Sequence, residues 1–349
     1  MKMSNDEYYN MFAQTEADFG QAALIYMGVK TTGIFCRPGC PARLPLRKNC
    51  EFFPDAEKAL NAGYRACKRC HPLRLPGEAS GLIKTLINLV ESDISRSWSE
   101  EDLSASGIDP STARRHFKAR FGITFAQYAR GRRLGDAAKT LRKGESVINA
   151  QLEAGYESAP GFRAAFSKTF GTAPKNVKGD PLCIDWIDTP LGPMISVASE
   201  EALYLLEFTD RKHITRQFNK LTKLQGRAIV PGQTAISHQT RDELTAYFKG
   251  DLQGFTMPLI TSGTDFQKQT WQALCDIPFG ETRSYAQLAC AVGNEKAVRA
   301  VAGSNAANGL AIIIPCHRVI RTGGHLGGYA GNLSRKQWLL EHELKFKTK

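Results

Sequence analysis

The sequence predicts a multidomain α+β protein, because the chain is too long for one domain and its cysteines and its charge are distributed unevenly. The 349 residues exceed the ~100–200 residues of an ordinary domain. Five of the nine cysteines fall between Cys36 and Cys70. Residues 95–179 hold 15 basic and 8 acidic side chains, which is over half of the excess positive charge of a chain whose net charge is +12. Strand-like alternation runs over residues 183–210, and helical spacing dominates from residue 264 onward.

The composition restricts the compartment and the partners. Hydrophobic residues make up 42% of the chain and charged residues 23%, which is typical of a globular protein with a core. No apolar run approaches the ~20 residues of a membrane-spanning helix, and the first ten residues lack the apolar core of a signal peptide. We therefore expect a cytoplasmic protein without a membrane partner, whose cysteines bind metal or react rather than form disulfides. The positive charge favours a polyanionic partner.

Two seams rich in Pro, Gly and polar residues divide the chain, at residues 72–80 and 172–181. They predict a cysteine-rich unit over residues 1–77 and a basic helical unit over residues 80–179. The remainder is predicted to hold a sheet subdomain over residues 180–263 and a helical domain over residues 264–349.

The first unit contains two close cysteine pairs, Cys36-x3-Cys40 and Cys67-x2-Cys70. Two such pairs on separate turns can converge on a tetrahedral Zn²⁺ site, and zinc would supply much of the folding free energy of so small a unit. Most sites of this kind are purely structural. A reactive site is the alternative, because four thiolates on one Zn²⁺ leave two negative charges and an electron-rich sulfur that can attack an alkyl carbon.

The residues around these cysteines, TTGIFCRPGCPAR and GYRACKRC, closely resemble the methyl-phosphotriester-accepting domain of the Ada family. The resemblance implies that Cys36 accepts a methyl group and is also a zinc ligand. Methylation would remove one of the two negative charges and reduce repulsion from DNA phosphates. The implied zinc ligands are Cys36, Cys40, Cys67 and Cys70. Candidate phosphate contacts, which could equally be solvated surface residues, are Arg43, Arg47 and Lys48.

The basic unit shows the order helix, turn, basic helix. Apolar residues recur at helical spacing from Leu82 to Val90, and a short helix ends at Gly107. Asp109 then offers an N-cap with Pro110 in the first turn of a basic helix that extends to Phe121. A second unit of this kind is predicted over residues 147–170, with its turn at residues 154–156.

This layout resembles the two-unit helix-turn-helix domain of the AraC family over roughly residues 82–178, through FGITFAQYARGRRL and EAGYESAPGFRAAFSKTFGTAP. The first unit fits more closely, because residues 147–151 are less apolar than usual and the second reading helix is rich in Ala and Gly. The resemblance implies binding to double-stranded promoter DNA. The candidate groove or phosphate contacts are Arg114, Arg115, Lys118 and Arg163. Which of them reads bases stays open.

The C-terminal part carries a second nucleophile candidate. Helices are predicted over residues 266–274, 285–292 and 296–306, and the last has small side chains except for Arg299. Such a helix either approaches DNA closely or packs against another helix. The motif PCHRVI places Cys316 beside His317 after an apolar run. Taken alone this pair is a weak signal, since a buried cysteine is usually inert.

The segments FQKQTWQALCDIPFGETRSYAQLA, KAVRAVAGSNAANGLAIIIPCHR and GHLGGYAGNLSRKQWLLEHE closely resemble O6-alkylguanine-DNA alkyltransferases. The match is strong over residues 264–344 and loose over residues 183–263. It implies that Cys316 accepts the alkyl group, that His317 acts as its base through a water molecule, and that Glu343 orients and polarises His317.

The same resemblance implies roles around the nucleophile. Asn308 would brace the turn that holds the cysteine. Tyr285 would press on the target phosphate and help to protonate the leaving guanine. Arg299 would fill the gap left by a nucleotide that must be extruded before its O6-methyl group can be reached. Gly327, Gly328 and Tyr329 would line the pocket. Because a thioether is very stable, each cysteine would react once.

The order of parts resembles the Ada family along nearly the whole chain. It implies a monomeric repair methyltransferase that transfers methyl groups from O6-methylguanine or O4-methylthymine to Cys316 and from phosphotriesters to Cys36. The second transfer would make it a transcription activator in contact with RNA polymerase. One alternative is a zinc-containing regulator without phosphotriester transfer and with an inactive C-terminal domain. Another is a repair enzyme whose helix-turn-helix domain only localises it on DNA.

The predicted fold class is thus a zinc-thiolate domain, an AraC-type double helix-turn-helix, and a sheet subdomain with a helical, winged-helix-like alkyltransferase domain. The cysteines without an assigned role are expected to be packing residues. They are Cys50, Cys183, Cys275 and Cys290.

Overall fold

The computed structural model describes residues 5–13, 25–54, 56–70, 72, 81–177, 179–211 and 214–347. The predicted seam over residues 72–80 lies outside the described residues except for Pro72. No helix in these ranges is long and apolar enough to cross a membrane.

The N-terminal part is a small sheet with strands β1 (Tyr26–Val29), β2 (Ile34–Cys36), β3 (Cys50–Phe53) and β4 (Arg65–Ala66) in the order β3-β1-β2-β4. Strand β1 is antiparallel to β2 and β3, whereas β2 is parallel to β4. The parallel pair brings its two strand ends together, since the amide of Cys67 donates to the carbonyl of Phe35 at 3.0 Å. The helices of this part are α1 (Asn5–Ala13) and α2 (Ala56–Asn61).

The middle part is entirely helical. Its helices are α3 (Gly81–Ser92), α4 (Glu100–Ala105), α5 (Pro110–Phe121), α6 (Phe125–Arg142), α7 (Val147–Glu153) and α8 (Ala159–Phe170). The predicted N-cap is present, because the Asp109 side chain accepts from the Thr112 amide at 2.7 Å. One core centres on Phe117 under α3 to α6, and a second centres on Phe162 and Phe166 under α6 to α8. Helix α6 therefore joins two helix-turn-helix units.

The third part begins with a four-stranded sheet in the order β7-β6-β5-β8. Its strands are β5 (Leu182–Ile187), β6 (Met194–Ala198), β7 (Leu203–Phe208) and β8 (Ile229–Pro231). Helix α9 (Ile214–Gln225) precedes β8, and helix α10 (Ala235–Lys249) follows it. Residues 183–210 form the predicted strands, whereas α9 and β8 were not predicted.

The C-terminal helices continue the same core. They and their two short strands are α11 (Asp265–Cys275), β9 (Arg283–Ser284), α12 (Tyr285–Ala291), α13 (Val298–Ala306), β10 (Val319–Ile320) and α14 (Leu333–Phe346). Leu206 of the sheet lies in one buried cluster with Leu274, Val301 and Leu339. The sheet and these helices consequently share one hydrophobic interior.

Helix α6 packs directly on strand β8. A Cβ atom at Gly131 would lie 2.6 Å from Cδ of Pro231, and one at Gly135 would lie 2.7 Å from Cγ2 of Val230. Real Cβ atoms do not approach so closely, so the two glycines set the spacing between the helix and the strand. Polar and aromatic contacts between the helical part and the sheet lie on either side of these two glycines. Lys139 Nζ lies 2.9 Å from Glu200 Oε1, and the rings of Phe121 and Trp186 are 4.6 Å apart.

Replacement of Gly135 by Leu should lower the free energy of unfolding by about 1–3 kcal/mol, because the new side chain must displace Val230 from a packed interface. Urea denaturation followed by circular dichroism measures the change. Gly81→Leu is the matched control, since nothing lies within 4 Å of a Cβ at that position of helix α3. Equal stability of Gly135→Leu and wild type would contradict this packing.

Candidate active sites and DNA-facing residues

The four cysteines of the two N-terminal pairs converge. Their sulfur atoms all lie within 4.8 Å of one another, and Cys40 Sγ is 3.9 Å from Cys67 Sγ. A tetrahedral Zn²⁺ site with Zn–S bonds of ~2.3 Å places its sulfurs about 3.8 Å apart. The donor set therefore fits zinc. Within the described ranges, no second group of three or more His, Cys, Asp or Glu side chains could hold a metal ion.

Local structure explains this convergence. Cys36 is the last residue of β2, and Cys67 follows β4, its parallel neighbour. Gly39 has a φ of 76°, a left-handed conformation that turns the chain so that Cys40 comes back toward Cys36. Cys50, the odd cysteine of the cluster, is buried in the same core and is not part of the four-sulfur group.

A cavity of about 400 Å³ adjoins Cys36 and Cys40. Four cationic side chains line it, namely Arg43, Arg65, Lys68 and Arg69. The predicted phosphate contact Arg43 therefore lies beside the sulfur cluster. Arg47 instead makes an ion pair in which its Nε lies 2.9 Å from Asp6 Oδ1, and its guanidinium lies over the ring of Phe52. Lys48 is exposed.

The predicted contacts of the helix-turn-helix part lie on the second helix of each unit. Arg115 and Lys118 on α5, and Arg163 on α8, are exposed. Arg114 is also exposed and pairs with Glu100 of the preceding helix.

Two cations of the linking helix α6 have structural contacts instead. Both Arg132 Nε and Nη2 lie 2.7 Å from the carboxylate of Glu91. Arg133 is buried, and its guanidinium lies over the ring of Tyr156. Part of the excess positive charge of this segment therefore stabilises the fold.

Cys316, the second candidate nucleophile, begins a single 3₁₀ turn, Cys316–Arg318. This turn interrupts the extended arrangement in which adjacent side chains point apart. Asn308 Nδ2 lies 2.9 Å from the Ile314 carbonyl oxygen and 3.2 Å from Cys316 Sγ. The Asn308 side-chain amide therefore donates both to Cys316 Sγ and to the backbone just before it. This is the contact expected of a residue that braces the turn. A cavity of about 480 Å³ opens onto Cys316. Its lining includes Tyr285, Arg299, Asn305, Arg321 and Tyr329.

A buried charge network lies behind the cysteine. His317 Nε2 is 2.7 Å from Glu343 Oε1, and both side chains are fully buried. Arg318 donates to the same carboxylate, from Nε to Oε2 at 2.8 Å and from Nη2 to Oε1 at 3.0 Å. Tyr247 donates its hydroxyl to Oε1 at 2.9 Å. The amide of Gly280 donates to Oε2 at 3.1 Å.

This network fixes the protonation states. Burial alone would raise the pKa of Glu343, but its contacts with His317 and Arg318 hold that pKa well below its usual range, so the carboxylate is ionised. Burial lowers the pKa of His317 below 6.5, so the imidazole is neutral at neutral pH. Because Nε2 faces a carboxylate acceptor, it carries the proton. His317 Nδ1 is buried and has no hydrogen-bond partner among the described protein atoms, so its lone pair can accept a proton.

Opposing effects act on the pKa of the Cys316 thiol. Burial raises the pKa of Cys316, while the hydrogen bond from Asn308 and the charges of Arg211 and Lys336 oppose that rise. The thiol is therefore protonated at neutral pH, and a nearby base is required. Lys336 is itself buried, which lowers its pKa to about 8, and its Nζ lies 2.5 Å from the Val319 carbonyl oxygen.

Tyr285 and Arg299 face the same cavity from α12 and α13. Burial raises the pKa of Tyr285, so its hydroxyl keeps its proton at neutral pH, and it donates to the Gly328 carbonyl at 3.4 Å. Arg299 is exposed.

Three charged residues near Cys316 were not predicted from the sequence. Arg318 directly follows His317 in the PCHRVI motif, and this position was the one sequence feature that could have pointed to it. Arg211 and Lys336 come from distant segments. The packing interpretation also failed for Cys275 and Cys290, which are exposed because they lie on the outer faces of short helices. It holds for Cys50 and Cys183, which are buried.

Three family models match successive parts of the chain. The metal binding domain of Ada matches residues 7–72, a helix-turn-helix domain matches residues 104–179, and the DNA binding domain of 6-O-methylguanine DNA methyltransferase matches residues 265–345. The chain is also 37% identical over 322 residues to the bifunctional transcriptional activator/DNA repair enzyme Ada of Escherichia coli (strain K12), with 90% of each chain covered. The chain belongs to the Ada family.

Other Ada-family and repair proteins are similar. The regulatory protein ada of Salmonella typhimurium is 35% identical over 330 residues, with 90% of each chain covered. A crystal structure of the O6-methylguanine methyltransferase of Mycobacterium tuberculosis is 38% identical, with a TM-score of 0.41, and covers 47% of this chain and 93% of its own. The predicted family, fold class and zinc cofactor are confirmed by the Ada-family match together with the four-sulfur cluster.

Replacement of Cys67 by Ser should weaken zinc binding, because three sulfurs and a hydroxyl replace a closed four-thiolate site. Zinc content per chain after dialysis against a chelator, measured by mass spectrometry of the metal, checks this. Cys50→Ser is the matched control, since Cys50 shares the core but not the sulfur cluster, and it should retain one zinc ion. A Cys67→Ser protein that keeps its zinc as fully as wild type would contradict the site.

Proposed function

We propose that this chain repairs alkylated DNA by irreversible methyl transfer to two cysteines, and that transfer to one of them switches it into a transcription activator. Cys316 takes methyl groups from O6-methylguanine and O4-methylthymine, and Cys36 takes them from methyl phosphotriesters. The observation that carries this proposal is the position of Cys316 beneath an open cavity, beside a neutral His317 that is held by an ionised Glu343.

At the C-terminal site, the damaged base leaves the DNA stack and enters the cavity over Cys316. Arg299, exposed on α13, fills the space that the base vacates. His317 Nδ1 removes the thiol proton through a water molecule. The sulfur then attacks the methyl carbon as the carbon–oxygen bond breaks, and the electron pair goes to guanine, which takes a proton from Tyr285.

At the N-terminal site, Cys36, Cys40, Cys67 and Cys70 would hold a zinc ion, whose positive charge would keep their sulfurs deprotonated at neutral pH. Cys36 attacks the methyl carbon of the phosphotriester, and the DNA phosphate leaves with its negative charge restored. Arg43, Lys68 and Arg69 line the adjoining cavity and offer positive charge to that phosphate. No general base is needed here, since the sulfur is already a thiolate.

Methylation of Cys36 has an electrostatic consequence. It removes one negative charge from a sulfur cluster that shares its cavity with DNA-facing cations, so binding to DNA tightens. The exposed Arg115, Lys118 and Arg163 of the two helix-turn-helix units then hold the protein on its promoter as a monomer, in contact with RNA polymerase.

The direct test reacts the full chain with two DNAs, one labelled in the methyl group of a phosphotriester and one in that of O6-methylguanine. Peptide mass mapping should find one methyl group on Cys36 from the first DNA and one on Cys316 from the second, with no further turnover. Cys36→Ser and Cys316→Ser should each lose one label and keep the other. Absence of label at Cys36 in the zinc-loaded protein would exclude the switch and leave a repair enzyme.

A gel-shift titration separates an activator from an enzyme that is only localised by its helix-turn-helix domain. Protein premethylated at Cys36 should bind its own promoter at least roughly tenfold more tightly than unmethylated protein, and the difference should shrink with salt. Protein premethylated only at Cys316 is the control and should bind like the unmethylated protein. Equal affinity of all three forms would contradict activation by methylation.

The pH dependence of transfer to Cys316 follows from the lowered pKa of His317. Protonation of the imidazole removes the base, so the single-turnover rate should fall only as the pH drops through a value below 6.5. Rates measured from about pH 5 to about pH 8 locate this acid limb. A limb centred above pH 6.5 would show that burial does not lower the pKa of His317.

A further inference from the structure

The segment that leads to Cys316 is bent by two successive three-residue turns. In the first, the amide of Ile313 donates to the Ala311 carbonyl at 2.9 Å, and Ile312 has a φ of 72°. In the second, the amide of Cys316 donates to the Ile314 carbonyl at 2.8 Å around Pro315. A β-branched residue with positive φ is strained. Such a conformation persists only where the surrounding contacts impose it.

Three sets of contacts hold this segment in place. Leu206 of strand β7 exchanges hydrogen bonds with it, to the Gly309 carbonyl and from the Ala311 amide, each at 2.8 Å. Asn308 holds its far end through the Ile314 carbonyl and Cys316 Sγ. The third contact fixes Asn308 itself and comes from Arg211, which has no role in the mechanism above.

Arg211 lies in the turn after strand β7 and is buried. Its Nη1 donates to the Asn308 carbonyl and its Nη2 to the Ala306 carbonyl, each at 2.7 Å. Ala306 is the last residue of α13, the helix that carries Arg299, so one guanidinium holds both the end of that helix and the backbone of the bracing asparagine. The buried carboxylate of Glu207 pairs with Nη1 and keeps the guanidinium in this orientation.

We propose that Arg211, oriented by Glu207, is a positioning residue for alkyl transfer to Cys316. By holding the carbonyls of Ala306 and Asn308, it aims the Asn308 amide at the sulfur and fixes α13 relative to the nucleophile. A rigid guanidinium fork suits this task, because a lysine ammonium cannot hold two separated carbonyls in one fixed geometry. This inference rests on the proposed function, since it concerns the rate of that transfer.

Arg211 also contributes positive charge near the sulfur. It faces Cys316 together with Lys336, and the neighbouring titratable groups are His317, Tyr285 and Tyr329. Loss of the guanidinium would therefore slow the reaction in two ways: the Asn308 amide would lose its aim, and the thiol would become harder to deprotonate.

The test measures single-turnover methyl transfer by the full, zinc-loaded chain. Arg211→Met should slow transfer to Cys316 by about tenfold to a hundredfold, the range that a displacement of ~1 Å costs. Affinity for O6-methylguanine DNA should change less than about twofold, and the pH at which the Cys316 thiol ionises, read from the rate of its alkylation by a small reagent, should rise. Arg211→Lys should restore that pH but only part of the transfer rate.

Two internal comparisons make the result specific. Transfer from a phosphotriester to Cys36 in the same Arg211→Met molecules should keep its wild-type rate. Arg241→Met removes a guanidinium with the same kinds of partner, the Asp185 carboxylate and the Trp186 carbonyl. Arg241 does not line the cavity over Cys316 and takes no part in the hydrogen bonds around that cysteine. The Arg241→Met variant should therefore transfer at the wild-type rate.

An Arg211→Met protein that labels Cys316 as fast as wild type across the pH range would overturn the inference. If Arg211→Met does not fold, Arg211→Lys decides: a rate at least about threefold below wild type with unchanged DNA affinity supports a positioning role, and a wild-type rate overturns it. Failure of the proposed function is distinguishable, because the wild-type chain itself would then leave Cys316 unlabelled.

Discussion

Glu343 carries its charge in the protein interior, where an unpaired carboxylate would cost several kcal/mol. Arg318 neutralises it from the turn that also carries Cys316, and Tyr247 and the amide of Gly280 satisfy its remaining lone pairs. Arg318 also donates to the Ile277 carbonyl at 2.5 Å. Helix α14, helix α10 and the end of α11 are thereby fixed around one group. The orientation of the His317 ring follows from that group, whereas its neutral state follows from burial, which outweighs the pull of the carboxylate toward a charged imidazolium.

The two proposed methyl acceptors, Cys36 and Cys316, lie in opposite electrostatic environments. Cys36 belongs to a four-sulfur cluster that a bound metal ion would keep deprotonated, so methylation changes the charge of the site. Cys316 is a buried thiol whose pKa is raised, so it needs a neighbouring base to remove its proton when it reacts. Methylation there exchanges one neutral sulfur for another. The physics therefore favours Cys36 as the signalling cysteine and Cys316 as the one that only repairs.

The sequence predicted elements with local signals and missed contacts between distant segments. Cysteine spacing and the Asp109 N-cap are local signals, and the structure contains the sulfur cluster and the helix start that they predict. Strand β8 lacked a clear pattern because it is only three residues long, whereas the helical spacing of Ile214, Phe218 and Leu221 in α9 was a local signal that the prediction missed. Arg211 could not be found, because it lies 97 positions from Asn308, its partner. No periodicity or motif records so distant a pairing.

The protonation state of His317 can be measured directly in the ¹⁵N NMR spectrum of histidine-labelled protein, with His317→Gln used for assignment. We expect a neutral imidazole at neutral pH, with its proton on Nε2 facing the ionised Glu343. A charged imidazolium at neutral pH, or a neutral ring protonated on Nδ1, would contradict it. In either case Nδ1 could not accept the thiol proton of Cys316.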